Sequence, residues 1–121
     1  MQTPAKISFR NFEHSDAVEA RVLEKIAKLE TFYDRIVGCS VVVEAPHRHH
    51  TKGKLYHVHI MLTLPGGELS VNRDPHDDHG HEDVYVAIRD AFEAARRQLK
   101  RHVRQLRLRN HAHDSGESPA A

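Results

Sequence analysis

Residues 82–109 read EDVYVAIRDAFEAARRQLKRHVRQLRLR, and two stripes run through them. Val84, Ile88, Phe92, Ala95, Leu99, Val103 and Leu106 recur at intervals of three and four. At 3.6 residues per turn they fall on one arc of a helix. Arg89, Arg96, Arg97, Lys100, Arg101, Arg104 and Arg107 fall on another. The apolar arc needs a surface to lie on, most simply a sheet. The basic arc then faces outward. Acids are scarce on it: from Arg89 to Arg109 only Asp90 and Glu93 oppose eight basic residues, so internal ion pairs cannot neutralise it. Arg dominates, and a guanidinium forks onto phosphate oxygens better than an ammonium does. A solvated helix face is the plain alternative; the excess charge favours a polyanion partner.

Working back from that helix, the chain supplies the sheet. Glu68 to Arg73 is a strand with Leu69 and Val71 inward, joined by the tight turn Pro65-Gly66-Gly67 to Lys54–Leu64. That strand alternates: Tyr56, Val58, Ile60, Leu62 and Leu64 point one way, Leu55, His57, His59, Met61 and Thr63 the other. Gly38 to Glu44 is valine-rich, and Ala5 to Phe12 carries Ile7 and Phe9 on one side. Between these two strands Ser15 N-caps a helix to about Tyr33, with Val18, Val22, Ile26, Leu29 and Tyr33 inward. Arg21, Lys25 and Lys28 form a neighbouring stripe on it. The expected fold is α/β of the α+β kind, in the order β-α-β-β-β-α. It has a four-stranded mixed sheet with two helices packed on one face, and an open face bearing His57 and His59.

Length and charge set the outer limits. The chain has 121 residues, enough for one domain. We expect that domain over 1–110, followed by a short disordered tail over 111–121, where the sequence turns to His, Asp, Ser, Gly, Pro and Ala. Net charge is only +1, but acids gather at Asp74, Asp77, Asp78, Glu82 and Asp83, just before the basic helix. Cys39 is the only cysteine, which excludes an intrachain disulfide and fits a reducing compartment. The first ten residues hold no apolar run, and no stretch approaches about 18 apolar residues. The expectation is a cytoplasmic protein without a membrane partner.

Other chemistry finds thin support. Cys39 sits in the valine-rich strand and reads as a small core residue. Ser40 lacks a Gly-x-Ser-x-Gly elbow, and no glycine loop cradles a phosphate. We expect no enzyme, no cofactor and no small-molecule substrate. Twelve histidines stand out. His47, His49 and His50 share one segment; His76, His79 and His81 share another with Asp77 and Asp78. Imidazole and carboxylate suit zinc, nickel or copper, but no spacing fixes three ligands. No metal site is expected; a metal-binding or metal-responsive module is the alternative, and pH sensing a third reading.

Particular words in the chain resemble the ribosome hibernation-promoting factor family, the ribosome-associated inhibitors also called sigma-54 modulation proteins. They are Lys25-Ile26-Ala27-Lys28-Leu29-Glu30 followed by Tyr33-Asp34-Arg35-Ile36, then the valine strand 41–43. The third is Glu82-Asp83-Val84-Tyr85-Val86-Ala87-Ile88, leading to Ala94 and Arg96-Arg97-Gln98-Leu99-Lys100-Arg101. The similarity spans roughly Ile7 to Arg104. The histidine-rich stretches Pro46–Thr51 and His76–His81 depart from the family pattern. The resemblance implies a fold related to double-stranded-RNA-binding domains. It also implies a stress and stationary-phase role: binding in the decoding channel of the small ribosomal subunit, over the mRNA and tRNA positions, so that translation stops and idle ribosomes are preserved. The partner would be the small subunit and its rRNA. The rRNA-binding residues carried over are Lys25, Lys28 and Arg35 with Arg89, Arg96, Arg97, Lys100, Arg101 and Arg104. Long members add a linker and a second domain; this chain reads as a short form. A general double-stranded-RNA binder is the remaining alternative.

Overall fold

A computed structural model describes residues 1–11, 13–45, 56–73 and 83–117, with Arg73 and the last eight of these as backbone only. The elements follow the expected order: β1 Lys6–Arg10, α1 Asp16–Phe32, β2 Gly38–Glu44, β3 His57–Leu64, β4 Gly67–Arg73 and α2 Val84–Glu117. The four strands lie side by side in sequence order. β1 pairs parallel with β2, and the other two pairings are antiparallel, so the sheet is mixed.

Period-two alternation sets which face each strand buries. Ile7, Val41, Ile60 and Val71 stand in register across all four strands. Val41, Ile60 and Val71 are fully enclosed, beneath Val22 and Ile26 of α1 and Ile88, Ala95 and Leu99 of α2. Each fully buried Leu or Ile of this cluster contributes about 1.5–3 kcal/mol of hydrophobic stabilisation. The next row, Ser8, Val42, His59 and Asn72, points to the opposite face. There Met61 is exposed, and the His57 and His59 rings stack at 5.9 Å.

Local chemistry explains the boundaries. Ser15 Oγ accepts from the Val18 N–H at 3.3 Å, capping α1, and Tyr33 closes it with its N–H on the Leu29 carbonyl. Asp83 starts α2: its Oδ1 accepts from the Tyr85 N–H at 2.9 Å and its carbonyl from the Ala87 N–H. A carboxylate there also suits the positive end of the helix dipole. β3 and β4 pair Leu64 with Gly67, leaving Pro65 and Gly66 as the turn. Gly66 has φ +84°, and Pro followed by a positive-φ glycine is the type II pattern.

Three segments differ from expectation. β3 begins at His57: Tyr56 stands outside the strand, and Lys54 and Leu55 lie outside the described residues. β1 stops at Arg10 rather than Phe12, because Asn11 turns left-handed at φ 64°, a conformation Asn tolerates. α2 runs on to Glu117 instead of stopping near Asn110, so the backbone is helical through the first part of the segment expected as a tail. Adding one residue to a formed helix costs far less than nucleating one, and polar residues with modest propensity are carried along.

Candidate nucleic-acid interface

α1 and α2 lie against each other on the covered sheet face, and their outer surfaces carry the cations. Along α1 the stripe is Arg21, Lys25, Lys28, spaced four and three. Lys28 and Arg21 each lie 3.9 Å from Glu24. Along α2 every basic side chain from Arg89 to Arg109 is exposed. Arg89 pairs with Asp90 at 3.0 Å. Among the described residues no ion pair engages Arg96, Arg97, Lys100, Arg101, Arg104 or Arg107. Among the described residues the positive potential is therefore least compensated from Arg96 to Arg107.

The structure divides what the sequence presents as one ridge. Lys25, Lys28, Arg89 and Arg96 come together around a groove between the helices, of about 510 Å³, floored by Leu29 and Phe92. Lys100, Arg104 and Arg107 line a second groove that continues along the same seam past Phe32. Arg97 and Arg101 turn the other way, onto a hollow shared with Leu69 of β4, Gln98, His102 and Gln105. Arg35 is exposed in the turn after α1, outside these three grooves. Six of the nine expected residues thus form one continuous seam, two sit on the far flank of α2, and one stands apart.

Two contacts brace the seam and escape a reading by charge alone. The Arg21 guanidinium lies over the Tyr85 ring at 5.0 Å, and that of Arg96 over the Phe32 ring at 5.2 Å. Each is a cation–π pair between the helices. Ala87, Ala91, Ala94 and Ala95 are also buried, and their small size lets α2 lie close to its neighbours. The signal for Phe32 was present: it continues the Arg21, Lys25, Lys28 spacing by four more residues.

Cys39 is buried in β2, and burial, with the Glu30 charge second, pushes its thiol up to about 12. It is a packed thiol, not a thiolate nucleophile. The histidine groups at 47–50 and 76–81 lie outside the described residues. Among those described, His14, Asp16 and Glu19 converge, with His14 Nε2 at 2.9 Å from Asp16 and 2.8 Å from Glu19. Asp16 and Glu19 belong to the first turn of α1, where acids suit the dipole, and His14 lies just before its N-cap.

Fold and surface together define a sheet-backed pair of helices with an arginine-rich, phosphate-compatible seam. Comparison with known proteins gives the family. Residues 5–107 match the family described as Sigma 54 modulation protein / S30EA ribosomal protein, and the chain belongs to it. It is 31% identical over 96 residues to a ribosome hibernation promoting factor of Pseudomonas putida, covering 79% of this chain and 82% of that one. A protein of the same name from Escherichia coli K12 is 32% identical over 101 residues, with 84% and 94% covered. The solved N-terminal domain of Thermus thermophilus Protein Y superposes with a TM-score of 0.62 at 29% identity, over 80% of this chain and 94% of that one. A ribosomal subunit interface protein from Coxiella burnetii shares the fold, with a TM-score of 0.63 at 15% identity and 81% and 94% covered. Among the described residues no helix is long and apolar enough to cross a membrane.

Proposed function

We propose that this chain is a cytoplasmic ribosome-binding factor that docks on the small subunit through rRNA phosphates and occupies the decoding channel. Idle ribosomes are held out of translation and preserved. It acts by shape and charge, with no chemical turnover. The observation that carries this reading is the seam between α1 and α2, where Lys25, Lys28, Arg96, Lys100 and Arg104 line adjoining grooves on a rigid support. Phosphate contacts give affinity without base readout, and selectivity comes from the fit of a fixed surface to folded RNA. Arg35, Arg97 and Arg101 extend the contact beyond the seam. The names of the relatives support the ribosome as partner.

Competition is the test. Labelled initiator tRNA is bound to small subunits on filters with increasing amounts of this protein. Apparent tRNA affinity should fall, and inhibition of a purified translation system should be relieved by raising tRNA and mRNA together. Binding of the protein itself, with about six phosphates neutralised, should weaken about a thousandfold between 50 and 200 mM salt. Undiminished tRNA binding on saturated subunits would overturn the channel assignment; a flat salt response would overturn the phosphate contacts.

A further inference from the structure

The basic stripe of α1 ends in an aromatic ring. Arg21, Lys25, Lys28 and Phe32 follow one another at helical spacing, so Phe32 occupies the place where a fourth cation would stand. It is the last residue of α1 and is 38% exposed, one of only four large hydrophobic side chains to be so open among the described residues. Its position is central. It borders both the groove of Lys25, Lys28, Arg89 and Arg96 and the groove of Lys100, Arg104 and Arg107. Above it lies the Arg96 guanidinium.

The arrangement has a counterpart. Tyr85 leads the basic stripe of α2 and is met by Arg21 of α1, just as Phe32 ends the stripe of α1 and is met by Arg96 of α2. From one contact to the other both helices advance by the same number of residues, roughly 16 Å. The helices therefore run parallel along the seam. Tyr85 is half-buried, a brace. Phe32 shares one part of its ring with Arg96 and leaves the rest exposed among cations on both sides.

We propose that Phe32 is a base-stacking platform: an unpaired nucleobase of the bound RNA lies on its ring beside the Arg96 guanidinium. The flanking phosphates fall to Lys28 and Arg96 on one side and to Lys100 and Arg104 on the other. An exposed ring between two rows of cations suits an RNA strand, whose bases present flat apolar faces while its backbone carries the charge. Planar guanidinium and phenyl groups are the two surfaces on which splayed-out bases stack. A duplex offers no free face, so this contact selects RNA with a base turned out. The inference rests on the rRNA-binding reading above.

The chain contains no tryptophan, so Phe32→Trp installs a sole indole at the platform. Its emission should be quenched when small ribosomal subunits are added. Phe32→Leu, which keeps apolar bulk, should remain folded by thermal unfolding yet bind subunits about 5- to 150-fold more weakly, the range of one base–aromatic stack. Its salt slope should match the parent protein, because no phosphate contact is removed. Subunit binding by Phe32→Leu at parental strength, or co-sedimentation of Phe32→Trp with unchanged emission, would overturn the platform and leave the phosphate reading standing. If the parent protein itself does not bind small subunits, both fall.

Discussion

The two exteriors of this domain differ in what their charges can do. On the helical side, Arg96, Lys100, Arg104 and Arg107 follow the α1–α2 seam without an ion pair among the described residues. On the open sheet face, Lys6, Arg10, Glu44 and Glu68 are interspersed with serines, Val42 and the stacked His57 and His59. A net charge of +1 thus conceals a one-sided potential. Bulk charge describes how a protein repels its neighbours; the placement of charge describes what it holds.

The sharpest way to break this contrast is charge reversal. Changing Arg96, Lys100 and Arg104 together to Glu should weaken small-subunit binding by more than about a hundredfold and flatten the salt slope by about three. Changing Arg97 and Arg101 to Glu, on the flank facing β4, should cost about tenfold and lower the slope by less than two. Co-sedimentation across salt, with circular dichroism to verify folding, measures both. Equal losses from the two sets would mean that the whole of α2 is engaged and that the seam has no special status.

A smaller effect belongs to the other face. Replacing His57 and His59, both half-buried on that face, by Gln should change subunit affinity by less than about twofold at neutral pH, since the proposed contacts lie on the helical side. A large loss would show that the sheet face also meets RNA.

The smallest effect at neutral pH is at Cys39. Its thiol, raised from 9.0 to about 12, stays protonated in the fold while that of the unfolded chain ionises. Below pH 9.0 both forms hold the proton, and the shift has no consequence. Above it the unfolded chain binds fewer protons, so stability should decline progressively toward pH 12. Urea titrations of the parent protein and of Cys39→Ala between pH 8 and 11 test this: the parent should lose stability more steeply. Parallel pH profiles would show that the thiol is not the cause.

Much of the fold was legible because each element advertised itself locally. Ser15 announces α1, and Val58, Ile60, Leu62 and Leu64 fix which way β3 faces. The end of α2 was hidden because composition around His111 to Glu117 speaks of a tail, while cooperativity extends the helix into it. The division of the basic ridge was hidden for a different reason. Periodicity places Arg96 and Arg97 on neighbouring parts of one arc, but only tertiary packing decides that one borders α1 and the other β4. Phe32 continues the spacing of a charged stripe without sharing its charge, so only the packing of α1 on α2 shows that its ring belongs to the seam.

α2 is much longer than the sheet beneath it. Its 34 residues extend about 51 Å, whereas the eight residues of β3 cover about 27 Å. Among the described residues Leu99 is the last fully enclosed side chain, and Leu108 is already 62% exposed. Val103, one turn beyond Leu99, is the last side chain of α2 packed against the core among the described residues. From Leu99 to Glu117 the helix axis measures about 27 Å, so a change of about 10° in its direction at Leu99 would displace its end by about 5 Å. Arg104 and Arg107 lie on that stretch. A core substitution beneath Leu99 that shifts the axis of α2 therefore also moves Arg104 and Arg107, although it touches neither.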